Sequence, residues 1–208
     1  MMTANHSKVT SPPPQEELTA QFVDHINKLT TLTTEEEAAI LQSTPIETLE
    51  KGHLLIREGE IPNRCFFIIK GCVRQYYLRN GEEKTTFFYT EGQSIPISTG
   101  DANRAPSKHY LECIEETTLS HSTFEQEQEM YRRFPRFETL CRIELEKQLT
   151  LYQEILADFI MTTPEERYLN LLNNNPGLLY RVPQYQLASY IGVKPESLSR
   201  IRRRILQK

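Results

Sequence analysis

The chain has 208 residues, enough for one large domain or two small ones, each with its own core. Its net charge of -4 conceals an uneven division. From Thr162 onward eight Lys/Arg stand against three Asp/Glu, giving +5; taking these from the totals of 24 and 28 leaves 16 basic and 25 acidic residues, or -9, before it. An acidic body discourages indiscriminate coating of nucleic acid and directs contact to the basic tail. No run approaches the ~20 apolar residues of a membrane span, and residues 1–17 carry no apolar segment for secretion. Cys65, Cys72, Cys113 and Cys141 form no Cys-x-x-Cys clip. The expectation is a cytoplasmic protein with reduced, buried thiols, no membrane contact, no metal and no cofactor.

Residues 1–15, with Pro12-Pro13-Pro14, read as a disordered lead-in, and order begins near Glu16. Leu18, Phe22, His25, Ile26 and Leu29 recur at helical spacing, and Thr33 or Thr34 ahead of Glu35-Glu36-Glu37 caps a second helix through Leu41. From about Ile46 to Thr123 the texture changes to short β-branched and aromatic runs: His53–Arg57, Cys65–Lys70, Val73–Leu78, Lys84–Tyr89, Tyr110–Ile114 and Thr117–His121. Short strands at regular spacing predict a barrel or sandwich. Asn80-Gly81 should fold its flanking strands into a hairpin. Tyr76, Tyr77, Phe87, Phe88 and Tyr89 offer an aromatic lining, which core packing also explains. Ser94 to Lys108 breaks regular structure with Pro96, Gly100 and Pro106, and is the natural place for a site. Residues 16–134 thus form a barrel with N-terminal helices.

Pro135 should start a long helix through Met161. Its Cys141, Leu145, Leu149, Tyr152, Leu156 and Phe159, spaced by fours and threes, form a seam that lies against the barrel or pairs with a second copy of the chain. Thr163-Pro164-Glu165-Glu166 caps a further helix, and Asn173 to Gly177 stops it.

Residues 184–206 carry the spacing of a helix-turn-helix. Leu187, Ala188 and Ile191 share one face, Gly192 supplies the turn, Pro195 opens the second helix, and Leu198, Ile201 and Ile205 point back to the first. The outward face then carries Glu196, Ser199, Arg200 and Arg203, residue types that hydrogen-bond base edges. Lys194, Arg202, Arg204 and Lys208 flank that face and suit phosphates. Double-stranded DNA is the expected partner, read by a domain over residues 162–208.

The order of barrel, long helix and C-terminal helix-turn-helix resembles the Crp/Fnr family of bacterial transcription regulators. Lys51 to Glu60 and Phe66 to Arg74 resemble the strand and glycine pattern of its cyclic-nucleotide-binding barrel. Thr163-Pro164-Glu165-Glu166-Arg167-Tyr168 and Pro195 to Arg203 are similar to a Bacteroidetes-type subgroup. The resemblance implies an α+β chain: a jelly-roll barrel of the double-stranded β-helix type, a dimerisation helix over 135–161 and a winged helix-turn-helix. It adds Ser197 to the base contacts, although helical projection places Ser197 nearer a phosphate. It also implies a homodimer reading two half-sites about 34 Å apart, with RNA polymerase as a further partner.

The departures from the family concern the effector. Pro96-Ile97 stands where cyclic-AMP-binding members place Gly-Glu, and Ser107-Lys108 stands near their Arg, with Arg104 as the other cation. Ile97, Arg104, Ser107 and Lys108 are the candidate effector residues, for an unknown small molecule other than cyclic AMP. The N-terminus lacks the cysteines of an iron-sulfur branch. A C-terminal wing is expected to be truncated or absent, with any wing strand near Leu178–Val182. Two other readings remain: a cyclic-nucleotide-responsive member of the same family, and a cupin-like metal enzyme using His53, His109 and His121.

Overall fold

The structure, a computed structural model, describes residues 15–95 and 105–207. Residues 1–14 of the expected lead-in, Ile97, Arg104 and Lys208 lie outside the described residues, and Gln15 opens the first helix instead. Helix α1 (Gln15–Leu29) turns Leu18, Phe22 and Val23 inward. Helix α2 (Thr34–Ser43) starts on a reciprocal cap: the Glu36 N–H donates to the Thr33 hydroxyl, and the Thr33 N–H donates to the Glu36 carboxylate at 2.8 Å. Arg136, far along the chain, also donates to Glu36, with its Nε at 2.6 Å from one carboxylate oxygen. The Thr33 backbone bond, outweighing burial together with Arg136, holds the Glu36 carboxyl below the usual range.

Strands β1 (Ile46–Leu49), β2 (Leu54–Ile56), β3 (Arg64–Lys70), β4 (Val73–Arg79), β5 (Glu82–Tyr89), β6 (Ser94–Ile95), β7 (Tyr110–Cys113) and β8 (Thr117–Thr123) follow. They pair antiparallel in two four-stranded sheets, β1-β8-β3-β6 and β2-β7-β4-β5, which face each other as a jelly roll. Asn80 and Gly81 take φ of 53° and 79°, as a two-residue hairpin turn between right-twisted strands requires. Ile68, Val73, Leu111, Cys113 and Leu119 are wholly buried between the sheets.

The expected aromatic lining divides because strand side chains alternate. Phe87 and Tyr89 join the barrel core, whereas Phe88 faces away and joins the core of the C-terminal helices. Tyr76 stacks on Tyr110 at 4.9 Å between ring centroids and lies under the Arg74 guanidinium.

Helices α3 (Phe124–Arg133) and α4 (Arg136–Met161) return along the barrel, and Phe137 joins Phe22, Ile40 and Ile69 in a helix-to-sheet layer. The chain ends in α5 (Pro164–Asn174), α6 (Leu178–Arg181), α7 (Gln184–Ile191) and α8 (Pro195–Leu206). The strand anticipated near Leu178–Val182 is instead the single turn α6. Leu178 and Val182 both drop into the core from this turn, and the Val182 N–H donates to the Leu178 carbonyl at 3.0 Å, a bond between residues four apart that extended backbone cannot make.

Candidate nucleic-acid interface

The two helices of the reading motif close on each other as their spacing requires. Leu187, Ala188, Ile191, Leu198 and Ile201 are buried together, and Gly192 stops α7 with φ of 84°. The Val193 N–H donates back to the Ala188 carbonyl at 2.9 Å, the bond a left-handed helix stop permits. Pro195 occupies the first turn of α8, and Glu196 sits at its positive end.

On the outer side of α8, Glu196, Ser199, Arg200 and Arg203 are exposed, and Ser197 is half-buried. Arg200 donates to the Ser197 hydroxyl at 3.1 Å, and Ser199 donates to the Pro195 carbonyl within the helix. Among the described residues none ion-pairs with Glu196, Arg200 or Arg203. Arg202 is half-buried on the flank. Arg204 reaches Glu165 of α5 at 2.9 Å, so its charge is partly met within the domain. Lys194 is exposed and close enough to Glu82 on the β4–β5 hairpin to help Lys84, the larger influence, hold that carboxyl low.

The reading motif is docked on the barrel through contacts no local pattern announces. Cys72, Phe88 and Ile114 of the barrel share a core with Leu178, Leu187 and Ile191. Ser189 of α7 bonds the outer edge of β5: its hydroxyl accepts the Thr85 N–H at 2.9 Å and donates to the Glu83 carbonyl at 3.0 Å. Arg181 lies between Glu91 and Glu115, donating to Glu91 at 2.7 and 2.9 Å. Burial alone would raise the Glu91 carboxyl, but Arg181 and the Gly71 N–H outweigh it and hold it below the ordinary range. Arg167 pins the junction after α4, donating from Nε to the Ile191 carbonyl at 2.9 Å and stacking on Phe159 at 4.4 Å.

These contacts correct the seam of α4. Tyr152 faces the barrel, its hydroxyl 3.1 Å from that of Tyr89, which in turn donates to Gln75. Phe159 is turned onto Arg167 and Gly192. Tyr152 belongs to the chain's own packing together with Ile155, whereas Phe159 remains 48% exposed. Leu145, Leu149 and Leu156 are 53%, 58% and 61% exposed, and Ile160, which the seam omitted, is 74% exposed. They form a neighbouring apolar stripe that the single chain leaves uncovered.

Of the candidate effector residues, only Ser107 and Lys108 fall among the described residues. Ser107 is buried with its hydroxyl donating to the His109 carbonyl at 2.8 Å, so its bonding is spent inside its own loop. Lys108 is exposed. His121 faces Glu47, and His109 lies against Tyr77. Among the described residues no group of three or more His, Cys, Asp or Glu is placed to hold a metal, and no helix is long and apolar enough to cross a membrane.

The described residues thus form a jelly roll joined by a long helix to a docked pair of short helices, α7 and α8. The family model of the cyclic nucleotide-binding domain matches residues 46–134. Over 79–88% of its length the chain shares its fold with three solved structures. It is similar to FixK2 from Bradyrhizobium japonicum (TM-score 0.68, 16% identity, 79% of this chain and 85% of that one). It is also similar to the c-di-GMP responsive global regulator CLP from Xanthomonas campestris (TM-score 0.66, 14% identity, 84% and 92%). A third likeness is to a putative Crp/Fnr family transcriptional regulator from Eubacterium rectale (TM-score 0.67, 13% identity, 88% of each chain). No curated relative matches the chain.

Proposed function

We propose that the protein is a homodimeric, sequence-specific DNA-binding transcription regulator of the Crp/Fnr type. The observation that carries this reading is α8: a helix locked to α7 by Leu198 and Ile201, with Glu196, Arg200 and Arg203 exposed and without ion-pair partners among the described residues. Arg200 and Arg203 are suited to grip guanine through paired bonds, Glu196 to accept from cytosine, and Lys194 and Arg202 to meet phosphates. The uncovered stripe Leu145, Leu149, Leu156 and Ile160 supports pairing of α4 with α4 of a second copy. The neighbours CLP and the Eubacterium rectale protein are described as regulators, in keeping with this assignment.

The barrel's effector is read as something other than cyclic AMP. Ser107 is spent on its own loop, and Tyr152 of α4 places its hydroxyl 3.1 Å from that of Tyr89 in the barrel core. The family match of residues 46–134 favours one other reading, a cyclic-nucleotide-responsive regulator. Calorimetric titration separates the two: no heat with cyclic AMP or cyclic GMP is expected, and a stoichiometric exotherm favours the alternative.

The DNA assignment is tested by selecting an operator from random duplexes. Arg200→Ala is expected to weaken that operator by ~1 to 3 kcal/mol and relax selection at one base position, whereas Lys194→Ala should weaken all sequences alike and reduce the salt slope by about 1. Unchanged affinity and selectivity in Arg200→Ala would remove Arg200 from the base contacts. Failure to enrich any sequence would remove the reading as a whole.

A further inference from the structure

A cavity of about 850 Å³ opens between the β1-β8-β3-β6 sheet and helices α1, α3 and α4. It is separate from the core between the sheets. Cys65 and Phe67, which line it, project from the face of β3 opposite Ile68. Its walls are mostly aromatic and aliphatic, with Phe22, Phe67, Phe137, Leu140 and Leu151 among them. Pockets of roughly 300 to 1,000 Å³ with such walls take small organic molecules.

The polar groups in the wall restrict the chemistry. Glu127 and Glu144 both line it, and an anion would meet their charge. The potential cations are offset: Lys147 bonds Glu144 at 2.6 Å, burial and then Lys28 lower the pKa of His25 against the pull of Glu144, and His121 faces Glu47 and is lowered by burial. Glu127 accepts from Ser122 at 3.0 Å. Gln148 is different. Its Nε2 donates to the Ser94 carbonyl at 2.8 Å, while its Oε1 is buried and accepts from none of the described residues. A buried acceptor without a donor is costly, and a bound hydroxyl or N–H would remove that cost.

We propose that this cavity binds an uncharged, mainly apolar small molecule carrying one hydroxyl or N–H donor, accepted by Gln148 Oε1. The site lies on α4 and shares Leu145 with the stripe assigned to pairing, and any effect of the ligand on DNA binding rests on the proposed function. Binding itself does not, so the two readings fail separately.

The probe is N-phenyl-1-naphthylamine, which is uncharged, apolar and has one N–H. The whole chain is expected to bind it saturably, one per chain, with enhanced fluorescence. At ten times its dissociation constant it should slow iodoacetamide alkylation of Cys141, a wall residue, about tenfold. Gln148→Leu should weaken binding by about tenfold, and Cys141→Trp should abolish it by filling the space. Leu156→Asp, on the exposed stripe outside the cavity, should leave it unchanged. Absence of saturable binding, unprotected Cys141, or loss of binding in Leu156→Asp would each overturn the proposal. If circular dichroism shows Cys141→Trp misfolded, Cys141 protection in the unmodified chain and the Gln148→Leu affinity decide the matter.

Discussion

Replacing Leu149 and Leu156 together with Asp is expected to convert the protein to a monomer and weaken operator binding by 10² to 10⁴-fold. Both side chains are more than half exposed in the single chain, two turns apart in the C-terminal half of α4, and both lie on the same stripe as Leu145 and Ile160. Covering a leucine contributes ~1.5 to 3 kcal/mol. In a two-fold interface every such residue acts twice, so two substitutions per chain remove four contacts and place four carboxylates against one another. A dimer holds its second reading helix near the second half-site at high effective concentration, and a monomer loses that advantage without losing any DNA contact of its own. Sedimentation velocity reads the first effect, and titration of full and half operators the second. Persistence of a dimer in the doubly substituted chain would move the interface elsewhere. Tyr152→Asp should instead unfold or loosen the barrel end, since Tyr152 bonds Tyr89 within the chain.

Gly71→Ala is expected to destabilise the protein by about 3 to 5 kcal/mol, within the range of the most damaging single substitutions. Gly71 has φ of 109°, and a Cβ there would sit 2.7 Å from the Thr117 Cα and 2.8 Å from the Glu116 carbonyl oxygen. Those are backbone atoms at the start of β8 and cannot swing aside as a long side chain would. The same residue donates its N–H to Glu91 at 2.8 Å, and Glu91 receives Arg181, so displacement of Gly71 also disturbs the seat of the reading motif. Gly59→Ala provides the comparison: φ is 88° but no atom lies within 4 Å, and strain alone predicts ~1 to 2 kcal/mol. Urea unfolding of both variants tests the difference. Equal losses would show that conformation, not collision, sets the cost at Gly71.

What could be read from the sequence follows how locally each feature is determined. The Asn80-Gly81 hairpin, the Thr33 and Thr163 caps and the Gly192 stop depend on residues within a turn of one another, and all stand as expected. The strand edges fell within one or two residues because β-branched runs are bounded by turn signals. β1 and β6 were not among the expected strands; β6, only two residues long, is too short to show alternation. The seam of α4 was less legible, since spacing groups Tyr152 and Phe159 with Leu149 and Leu156 but cannot say which neighbour each side chain meets. Ile160 was missed for the same reason. Leu178–Val182 was apolar enough to suit a strand, and its turn is fixed by burial of both ends in a core assembled from distant segments. Arg181 could not be read at all: Glu115 and Glu91 lie 66 and 90 residues away.

The bond between Ser189 and β5 bears on whether the two halves of the molecule can be separated. β5 is an outer strand of its sheet, and such a strand presents unpaired backbone groups that recruit strands from other molecules. In this chain the Thr85 N–H and the Glu83 carbonyl are occupied by a side chain of the reading motif, and Phe88 beside them is covered by Tyr190. Helices α7 and α8 therefore also guard the barrel against self-association. A barrel cut away from them would gain an open, partly apolar margin prone to aggregate, so the inner face of α7 is constrained by solubility of the barrel as well as by the packing of its own helix pair.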